Sequence, residues 1–361
     1  MSSSIAEVRW GVMGTARIAA AEVAPAINST PRCCAVAVGS RRLDAAEAFA
    51  AQVGVQRAYK GYDALLADDD INAIYVALPN SMHAEWTIAA LEAGKHVLCE
   101  KPMAMNMAEA QAVIDAAERT GHVLVEGFMY RFHPRIAKLL QLLHEGVIGQ
   151  VRLLRATYTF DLASNTDVPK GEVEEDIRLN ASLGGGALND LGSYCVNGVR
   201  AYGNSRVTAV QSWRDPRTDR RVETACAGQL QFDSGAIGQF YAALDMPGGG
   251  FVEIVGTAGR IRVANAFRIR SWQGPVRLDI DTGDRITTEY FPFINQYELE
   301  IAHCAAQVLD GAPEVVSREE SLQNAATLEA IRVSWRCGAT VTVPRRSQNR
   351  VAIPATMSVK G

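Results

Sequence analysis

The chain has 361 residues, of which 48% are hydrophobic and 21% charged, and its formal net charge is −4. This length suits two domains better than one. The sequence has no basic block or stripe, so nucleic acid is not an expected partner, and no apolar run approaches the ~20 residues of a membrane span.

The cysteines and histidines do not indicate a metal site. The seven cysteines are an odd number, and apart from the adjacent Cys33 and Cys34 they are scattered without ligand spacing. The six histidines also lack ligand spacing. The N-terminal segment has neither the basic start nor the apolar core of a signal peptide. We therefore expect reduced thiols, no metal and a cytoplasmic location.

Short apolar runs alternate with helical patterns in the first part of the chain. Strands are predicted at 8–13, 34–39, 73–78, 96–99 and 123–126, so that Lys101 follows the fourth strand. Helices are predicted at 17–28, 44–53, 62–67, 85–93 and 107–120. Apolar strands separated by amphipathic helices favour a parallel sheet covered on both faces, as in a doubly wound Rossmann domain.

The pattern changes after about residue 130. Six runs of alternating character are predicted as strands at 151–160, 207–214, 225–232, 236–244, 251–256 and 260–263, with helices at 132–144, 188–202, 297–309 and 321–335. Such alternation favours an antiparallel sheet. The predicted fold class is α/β, with an N-terminal Rossmann sheet and a C-terminal α+β domain that has a large, open, mostly antiparallel sheet. We predict a dinucleotide-binding domain over 1–129, a substrate-binding and oligomerisation domain over 130–345, and a tail over 346–361.

A glycine turn joins the first predicted strand to the first predicted helix. A dinucleotide fingerprint has three glycines, of which only Gly14 is present here, because Ala16 and Ala19 occupy the other two positions. The helix N-terminus still offers amides to a phosphate. The alternative is an ordinary tight turn, but its place at the head of a strand–helix–strand unit favours cofactor contacts from this segment, namely Gly14, Thr15, Ala16, Arg17 and Ile18.

The end of the second strand indicates which nicotinamide cofactor is used. An NAD site usually has a carboxylate there, whereas this chain has Ser40 followed by Arg41 and Arg42. Guanidinium groups suit bidentate contact with a phosphate, so NADP is predicted. The alternative is that both arginines are solvated loop charges and that NAD is also used.

Two further motifs carry groups suited to proton transfer. Glu100-Lys101-Pro102 ends a strand, where a side chain points into the crevice that holds ligands in such sheets. Three glycines, 184–186, precede Asp190 and Tyr194, which share one face of a helix because they are four residues apart. A lysine near a tyrosine lowers the pKa of the tyrosine, so that the phenol can act as acid or base. The alternatives are a surface lysine and an ordinary helix start.

In combination, these motifs resemble the glucose-fructose oxidoreductase, inositol dehydrogenase and MocA family over about residues 8–336. The resemblance implies hydride transfer between a nicotinamide and a sugar or polyol carbon, with Lys101 as the catalytic lysine, Asp190 orienting the substrate and Tyr194 as general acid/base. It also implies cofactor contacts from Glu100 and from a group after the third predicted strand, Leu78, Pro79, Asn80 and His83. Substrate contacts are expected from Arg131, Asp176 and Arg178.

The tyrosine at position 194 makes the chain resemble the branch of this family that contains D-xylose dehydrogenase, dihydrodiol dehydrogenase and sugar ketoreductases. The expected function is an NADP-dependent aldose 1-dehydrogenase, with NAD also possible. The alternatives are a ketoreductase acting on a nucleotide-linked deoxysugar or another ketosugar, a trans-dihydrodiol dehydrogenase, and a non-catalytic NADP-binding regulator. A homodimer or homotetramer that assembles through the C-terminal sheet is expected.

Overall fold

The computed structural model describes residues 6–164, 176–215, 222–271 and 276–345. The predicted tail over 346–361 lies outside the described residues. Within the described ranges, no helix combines the length and the apolar character needed to cross a membrane. All seven cysteines are described and none forms a disulfide.

The N-terminal part forms a six-stranded parallel sheet in the order β3-β2-β1-β4-β5-β6, which is the order of a Rossmann fold. The strands are β1 (Val8–Met13), β2 (Cys33–Ser40), β3 (Arg57–Lys60), β4 (Ala73–Val76), β5 (His96–Glu100) and β6 (Leu124–Gly127). Lys101 therefore follows the fifth strand, and the prediction of a fourth was wrong. β3 was missed because its sequence, Arg-Ala-Tyr-Lys, is not an apolar run.

Helices cover both faces of this sheet. They are α1 (Ala24–Ser29), which continues a π-helical turn over Ala19–Val23, α2 (Leu43–Val53), α3 (Tyr62–Leu66), α4 (His83–Glu92) and α5 (Met107–Thr120). α5 has the predicted bounds because both ends carry strong local signals. The Asn106 side chain accepts a hydrogen bond from the Glu109 amide, and Gly121 ends the helix at a φ of 72°.

The C-terminal part forms a nine-stranded sheet in the order β14-β13-β12-β11-β7-β10-β9-β8-β15. Only β7 and β10 pair in parallel, so the predicted mostly antiparallel sheet is confirmed. The strands are β7 (Val151–Thr159), β8 (Val207–Arg214), β9 (Ala225–Phe232), β10 (Ile237–Ala243), β11 (Gly250–Gly256), β12 (Arg260–Ala264), β13 (Val276–Asp281), β14 (Ile286–Phe291) and β15 (Val341–Thr342). The last three were not predicted, because β13 and β14 carry charged or polar residues and β15 has two residues.

Four helices pack with this sheet, namely α6 (Pro134–His144), α7 (Ser193–Gly203), α8 (Gln296–Asp310) and α9 (Arg318–Cys337). α9 starts with a capping box between Ser317 and Glu320. α7 follows a π-helical turn, Leu188–Gly192, whose Asp190 is bonded to Lys101 after β5. Asn80 donates a 2.8 Å hydrogen bond to the carbonyl of Gly184, so the glycine segment contacts the N-terminal part of the chain. The division of the chain at residue 130 stays a prediction.

Gly14→Ala is expected to reduce the free energy of unfolding by roughly 2–4 kcal/mol, because it combines backbone strain with a clash. Gly14 has a φ of 101°, and a Cβ there would lie 2.5 Å from the carbonyl oxygen of Ala77. Gly54→Ala is the matched control, since Gly54 has a φ of 75° but nothing within 4 Å of the added carbon. It should cost only about 1–2 kcal/mol. Urea unfolding followed by circular dichroism measures both, and equal losses would contradict the close approach at Gly14.

Candidate active site

A cavity of about 180 Å³ lies where the carboxyl ends of β4 and β5 meet the π-helical turn and α7. Such edges are where doubly wound sheets bind their ligands. Ten of the residues predicted from the sequence line it, namely Ala16, Ile18, Leu78, Asn80, His83, Glu100, Lys101, Arg178, Asp190 and Tyr194. The fold thus brings the turn after Gly14, the strand end before Lys101 and the glycine segment 184–186 to one cavity.

The Lys101 ammonium is the centre of the cavity's charged groups. It donates hydrogen bonds to the backbone carbonyl of Asp190 at 2.7 Å and to the Asp190 carboxylate at 3.1 Å. It also lies over the ring of Tyr194, 4.7 Å from the ring centroid. An ammonium has three N–H groups, so these two bonds leave one for a ligand oxygen.

Asp190 is held by two cations. Its second carboxylate oxygen accepts a 2.9 Å hydrogen bond from Arg178 Nε, while its first is bonded to Lys101. Burial acts to raise the pKa of Asp190, but Lys101 and Arg178 outweigh it and hold this pKa below its usual value. Asp190 is therefore a carboxylate at neutral pH, with a fixed orientation toward the cavity.

Tyr194 is a neutral phenol in this structure. Burial raises its pKa well above the usual value, and the neighbouring tyrosines Tyr297 and Tyr158 and the acids Glu100 and Asp190 act in the same direction. The prediction that Lys101 lowers this pKa was wrong, because burial outweighs any effect of the ammonium, which lies 4.7 Å from the ring centroid. The hydroxyl lies 3.4 Å from the sulfur of Met129, a weak acceptor.

The glycine segment fits closely against the chain that carries Arg178. Gly186 has a φ of 113° and donates a 2.7 Å hydrogen bond to the Arg178 carbonyl. A Cβ on Gly185 would lie 2.5 Å from the same carbonyl oxygen. Asp176 lies beside this segment, where its buried carboxylate bonds Arg178 at 3.1 Å. Asp176 thus orients Arg178 and does not itself line the cavity.

Four predicted cofactor residues outside the cavity, Gly14, Ser40, Arg41 and Arg42, lie at the ends of β1 and β2. The Gly14 amide donates a 2.9 Å hydrogen bond to the carbonyl of Gly39, which joins the glycine turn to the end of β2. Arg41 and Arg42 follow that end and are exposed. Arg42 is bonded to Asp44, whereas Arg41 lies near the hydroxyl of Tyr62. Two cations beside a helix N-terminus fit the extra phosphate of NADP.

Arg131 does not lie where it was expected. Its side chain points away from the cavity and donates hydrogen bonds to Glu320 at 2.9 Å and to the carbonyl of Val315 at 3.3 Å. Only 7% of the residue is exposed. The 3₁₀ turn Met129–Phe132 directs this side chain toward α9. Arg131 therefore joins this turn to α9 and does not reach the cavity.

Several residues of the cavity were not identified from the sequence. They are Tyr158, Phe160, Arg268 and Tyr297. Tyr158 lies in β7, which was predicted as a strand, but no sequence signal indicates that this strand borders the cavity. Tyr297 lies in the first turn of α8, and no local signal places that turn beside Lys101. Arg268 follows β12 and binds Glu22 at 2.8 Å.

A second cavity, of about 600 Å³, adjoins the first and shares Ile18, Arg178 and Arg268 with it. It is lined on one side by the π-helical turn before α1 and by α2. Four arginines line it, namely Arg17, Arg178, Arg268 and Arg270, together with Glu22. Arg17 also lies 3.7 Å from the Asp176 carboxylate.

Known proteins of similar sequence and structure are oxidoreductases. The chain is 35% identical to D-xylose 1-dehydrogenase (NADP(+)) 2 of Haloferax volcanii, over 92% of this chain and 98% of that protein. It is 32% identical to trans-1,2-dihydrobenzene-1,2-diol dehydrogenase of Danio rerio, over 71% of this chain and 74% of that protein. The chain also superposes on the crystal structure of a 3-ketoreductase from Actinomadura kijaniata in complex with NADP and TDP-benzene. The TM-score is 0.82 and the sequence identity 32%, over 91% of this chain and 98% of that protein.

Two sequence profiles match the two parts of the chain. Residues 8–128 match the profile described as an oxidoreductase family with an NAD-binding Rossmann fold, and residues 136–262 match the GFO/IDH/MocA C-terminal domain. The predicted fold class and the predicted resemblance are both confirmed by these matches. The chain belongs to the GFO/IDH/MocA family of oxidoreductases.

Proposed function

We propose that this protein is an NADP-dependent dehydrogenase that transfers a hydride between the nicotinamide and the hydroxyl-bearing or carbonyl carbon of an aldose. The observation that carries the proposal is the position of Lys101, whose ammonium is bonded to Asp190 and lies over the Tyr194 ring inside one cavity. An ammonium, a carboxylate and a phenol together suit polarising a C–O bond and moving its proton.

In this proposal each side chain has a separate task. When bound, NADP+ would supply the hydride acceptor for oxidation and NADPH the hydride donor for reduction. Lys101 holds the reacting oxygen with the N–H that Asp190 does not use. Asp190, fixed by Arg178, accepts a hydrogen bond from a neighbouring sugar hydroxyl and so orients the ring. Tyr194 removes or supplies the hydroxyl proton, and the aromatic rings around it exclude water.

The test of this function is the reduction of NADP+ in the presence of a panel of sugars, followed by the absorbance of NADPH. The panel contains D-xylose, D-glucose, other aldoses, inositols and a trans-dihydrodiol. We expect turnover of an aldose. A trans-dihydrodiol as the best substrate would support the corresponding alternative. Binding of NADPH without turnover of any substrate, in either direction, would indicate a regulator and contradict the proposal.

Arg41→Ala is expected to lower the preference for NADP+ over NAD+, measured as the ratio of kcat/KM values, by about tenfold or more. The reason is that Arg41 lies beside the predicted position of the extra phosphate. Arg42→Ala is the matched comparison and should change the ratio less, because that guanidinium is already bonded to Asp44. A wild-type enzyme that prefers NAD+, with a ratio that Arg41→Ala leaves unchanged, would contradict the assignment.

A second candidate function is the reduction of a nucleotide-linked ketosugar. The observation that favours it is the adjoining cavity of about 600 Å³, in which Arg268 and Arg270 suit contact with a diphosphate next to the reacting carbon. The 3-ketoreductase that superposes with this chain was crystallised with TDP-benzene. Oxidation of NADPH with a dTDP-linked 3-ketosugar, and none with free aldoses, would favour this function over the first.

We also propose that the protein is a homodimer or homotetramer that assembles through the nine-stranded sheet. In β8, Ser212 faces α9, where its hydroxyl donates to the carbonyl of Ile331. The next residue, Trp213, points to the opposite face and is 55% exposed. Trp213 lines a surface pocket together with Ala227 and Tyr241 of the neighbouring strands, and a contiguous apolar patch on an open sheet is typical of a surface that is covered in an assembly. Light scattering of the purified protein tests this, and the mass of a single chain would contradict it.

A further inference from the structure

A buried carboxyl group holds the segment that carries Lys101. Glu126 lies in β6, is 3% exposed and is absent from the lining of the cavity. Its Oε1 accepts a 2.9 Å hydrogen bond from the backbone N–H of Met103. Met103 comes two residues after Lys101 and is 2% exposed. The carboxyl group of Glu126 therefore fixes the backbone next to the lysine without touching the cavity.

His83 holds the same segment one residue earlier. One ring nitrogen lies 2.8 Å from the carbonyl oxygen of Pro102, and the other lies 2.8 Å from that of Leu78. The carbonyl of Pro102 and the N–H of Met103 thus both lie within hydrogen-bond distance of buried side chains. The bond from Met103 to Glu126 is the one whose direction is fixed, because a neutral imidazole can donate to only one of its two carbonyls.

The surroundings of Glu126 place its ionisation near neutral pH. Burial raises the pKa of Glu126 to about 7, and Glu320 on α9 also raises it, while the Ser321 hydroxyl, the Met103 amide and Arg200 on α7 act to lower it. On β5 the group that faces it is Cys99, a buried thiol whose own pKa is raised. A carboxylate accepts a backbone N–H more strongly than a neutral carboxyl does, so the contact with Met103 strengthens when Glu126 ionises.

We propose that Glu126 is a positioning residue whose ionisation tightens its hydrogen bond to Met103 and so fixes the Lys101 ammonium against Asp190. The kinetic consequence rests on the function proposed above. Below the pKa of Glu126 the segment is held less firmly, and Lys101 spends less time in the productive position. The rate of the chemical step should therefore rise with pH through this ionisation, while substrate binding changes little.

The first test compares the pH dependence of kcat for the wild type, Glu126→Gln and Glu109→Gln. In Glu126→Gln the additional step in kcat near pH 7 should disappear and leave only the steady rise that the neutral Tyr194 gives to oxidation, and kcat at about pH 8 should fall about tenfold, with KM for the sugar within about twofold. Glu109→Gln is the matched control, because Glu109 Oε2 accepts a hydrogen bond of equal length from Met105, farther along the same segment. It should keep the step near pH 7. A Glu126→Gln profile that matches the wild type would overturn the proposal.

A second variant keeps the test independent of how well Glu126→Gln folds. Ser321→Ala removes a hydroxyl that favours the ionised carboxyl, so the step in kcat that belongs to Glu126 should move to higher pH and keep its size. A Ser321→Ala profile that superimposes on the wild-type profile would overturn the proposal.

Chemical labelling separates this proposal from the proposed function. Acylation of Lys101 by acetic anhydride, measured by mass spectrometry relative to Lys138, reports on the position of Lys101 without any substrate. The ratio should fall as pH rises through 7 in the wild type and stay constant in Glu126→Gln. If the acylation ratio falls in this way but the protein turns over no sugar, the proposed function is contradicted and the role of Glu126 in positioning Lys101 is supported. A ratio with the same pH dependence in the wild type and in Glu126→Gln would overturn that role.

Discussion

Replacement of Lys101 by methionine is expected to lower kcat about a thousandfold while leaving KM for NADP+ within about threefold. Methionine keeps much of the length and packing of the side chain but removes the charge and all three N–H groups. The reacting oxygen then loses the group that stabilises its developing negative charge. The loss should appear in kcat, because this interaction strengthens in the transition state. Steady-state kinetics with the best aldose and NADP+ measures it.

The fold should tolerate this change, since Asp190 keeps its hydrogen bond to Arg178 at 2.9 Å and is not left as an unpaired buried charge. Lys138→Met is the matched control. Lys138 lies on α6 with a distant partner, Glu289, at 3.8 Å, and its replacement should leave kcat unchanged. A Lys101→Met enzyme that folds and retains more than about a tenth of the wild-type kcat would contradict the role of the ammonium.

The parts of the site that follow strand ends could be predicted from local sequence. β1 has the predicted bounds, and the turn at Gly14 and the strand before Lys101 are marked by apolar runs that stop at a glycine or a proline. Local patterns fix where a strand ends, and the carboxyl edge of a parallel sheet is where ligands bind. The positions of Gly14 and Lys101 at that edge therefore followed from the order of elements alone.

The pairing of Lys101 with Asp190 could not be read from local patterns, because 89 residues separate them in the chain. It came from the family resemblance. The direction of single side chains was the least predictable feature. Arg131 follows β6 as expected, yet the 3₁₀ turn points it at Glu320. Tyr297 reaches the cavity because α8 packs beside the first sheet, and no sequence pattern encodes that contact.

The state of Tyr194 also depends on tertiary structure. The sequence predicts that a nearby lysine lowers the pKa of Tyr194. In the folded protein, however, the phenol is enclosed by Tyr158, Tyr297 and two carboxyl groups. Burial then dominates and the pKa rises. The same residue can still act as an acid or a base, but its neutral form is the one that exists through the physiological pH range.

Tyr194→Phe is expected to lower kcat by about 10²–10⁴-fold in both directions, because it removes the group that moves the proton. The raised pKa gives the two directions different pH profiles. Carbonyl reduction by NADPH needs the neutral phenol as donor, so its rate should not fall between pH 6 and 9 from loss of the tyrosine proton. Alcohol oxidation needs the proton to leave, so its rate should rise with pH over that interval. Initial rates in each direction, measured across this range, test both expectations.

The change removes one hydroxyl whose partner is the weak acceptor Met129 sulfur, so the free energy of unfolding should change by less than about 1 kcal/mol. Tyr202→Phe is the matched control, since Tyr202 is also a buried tyrosine of α7, is 1% exposed and lies outside the cavity. Its kcat should equal that of the wild type. If Tyr194→Phe folds and loses less than about tenfold in kcat, the proton passes through another group, and Tyr194 shapes the cavity without taking part in the chemistry.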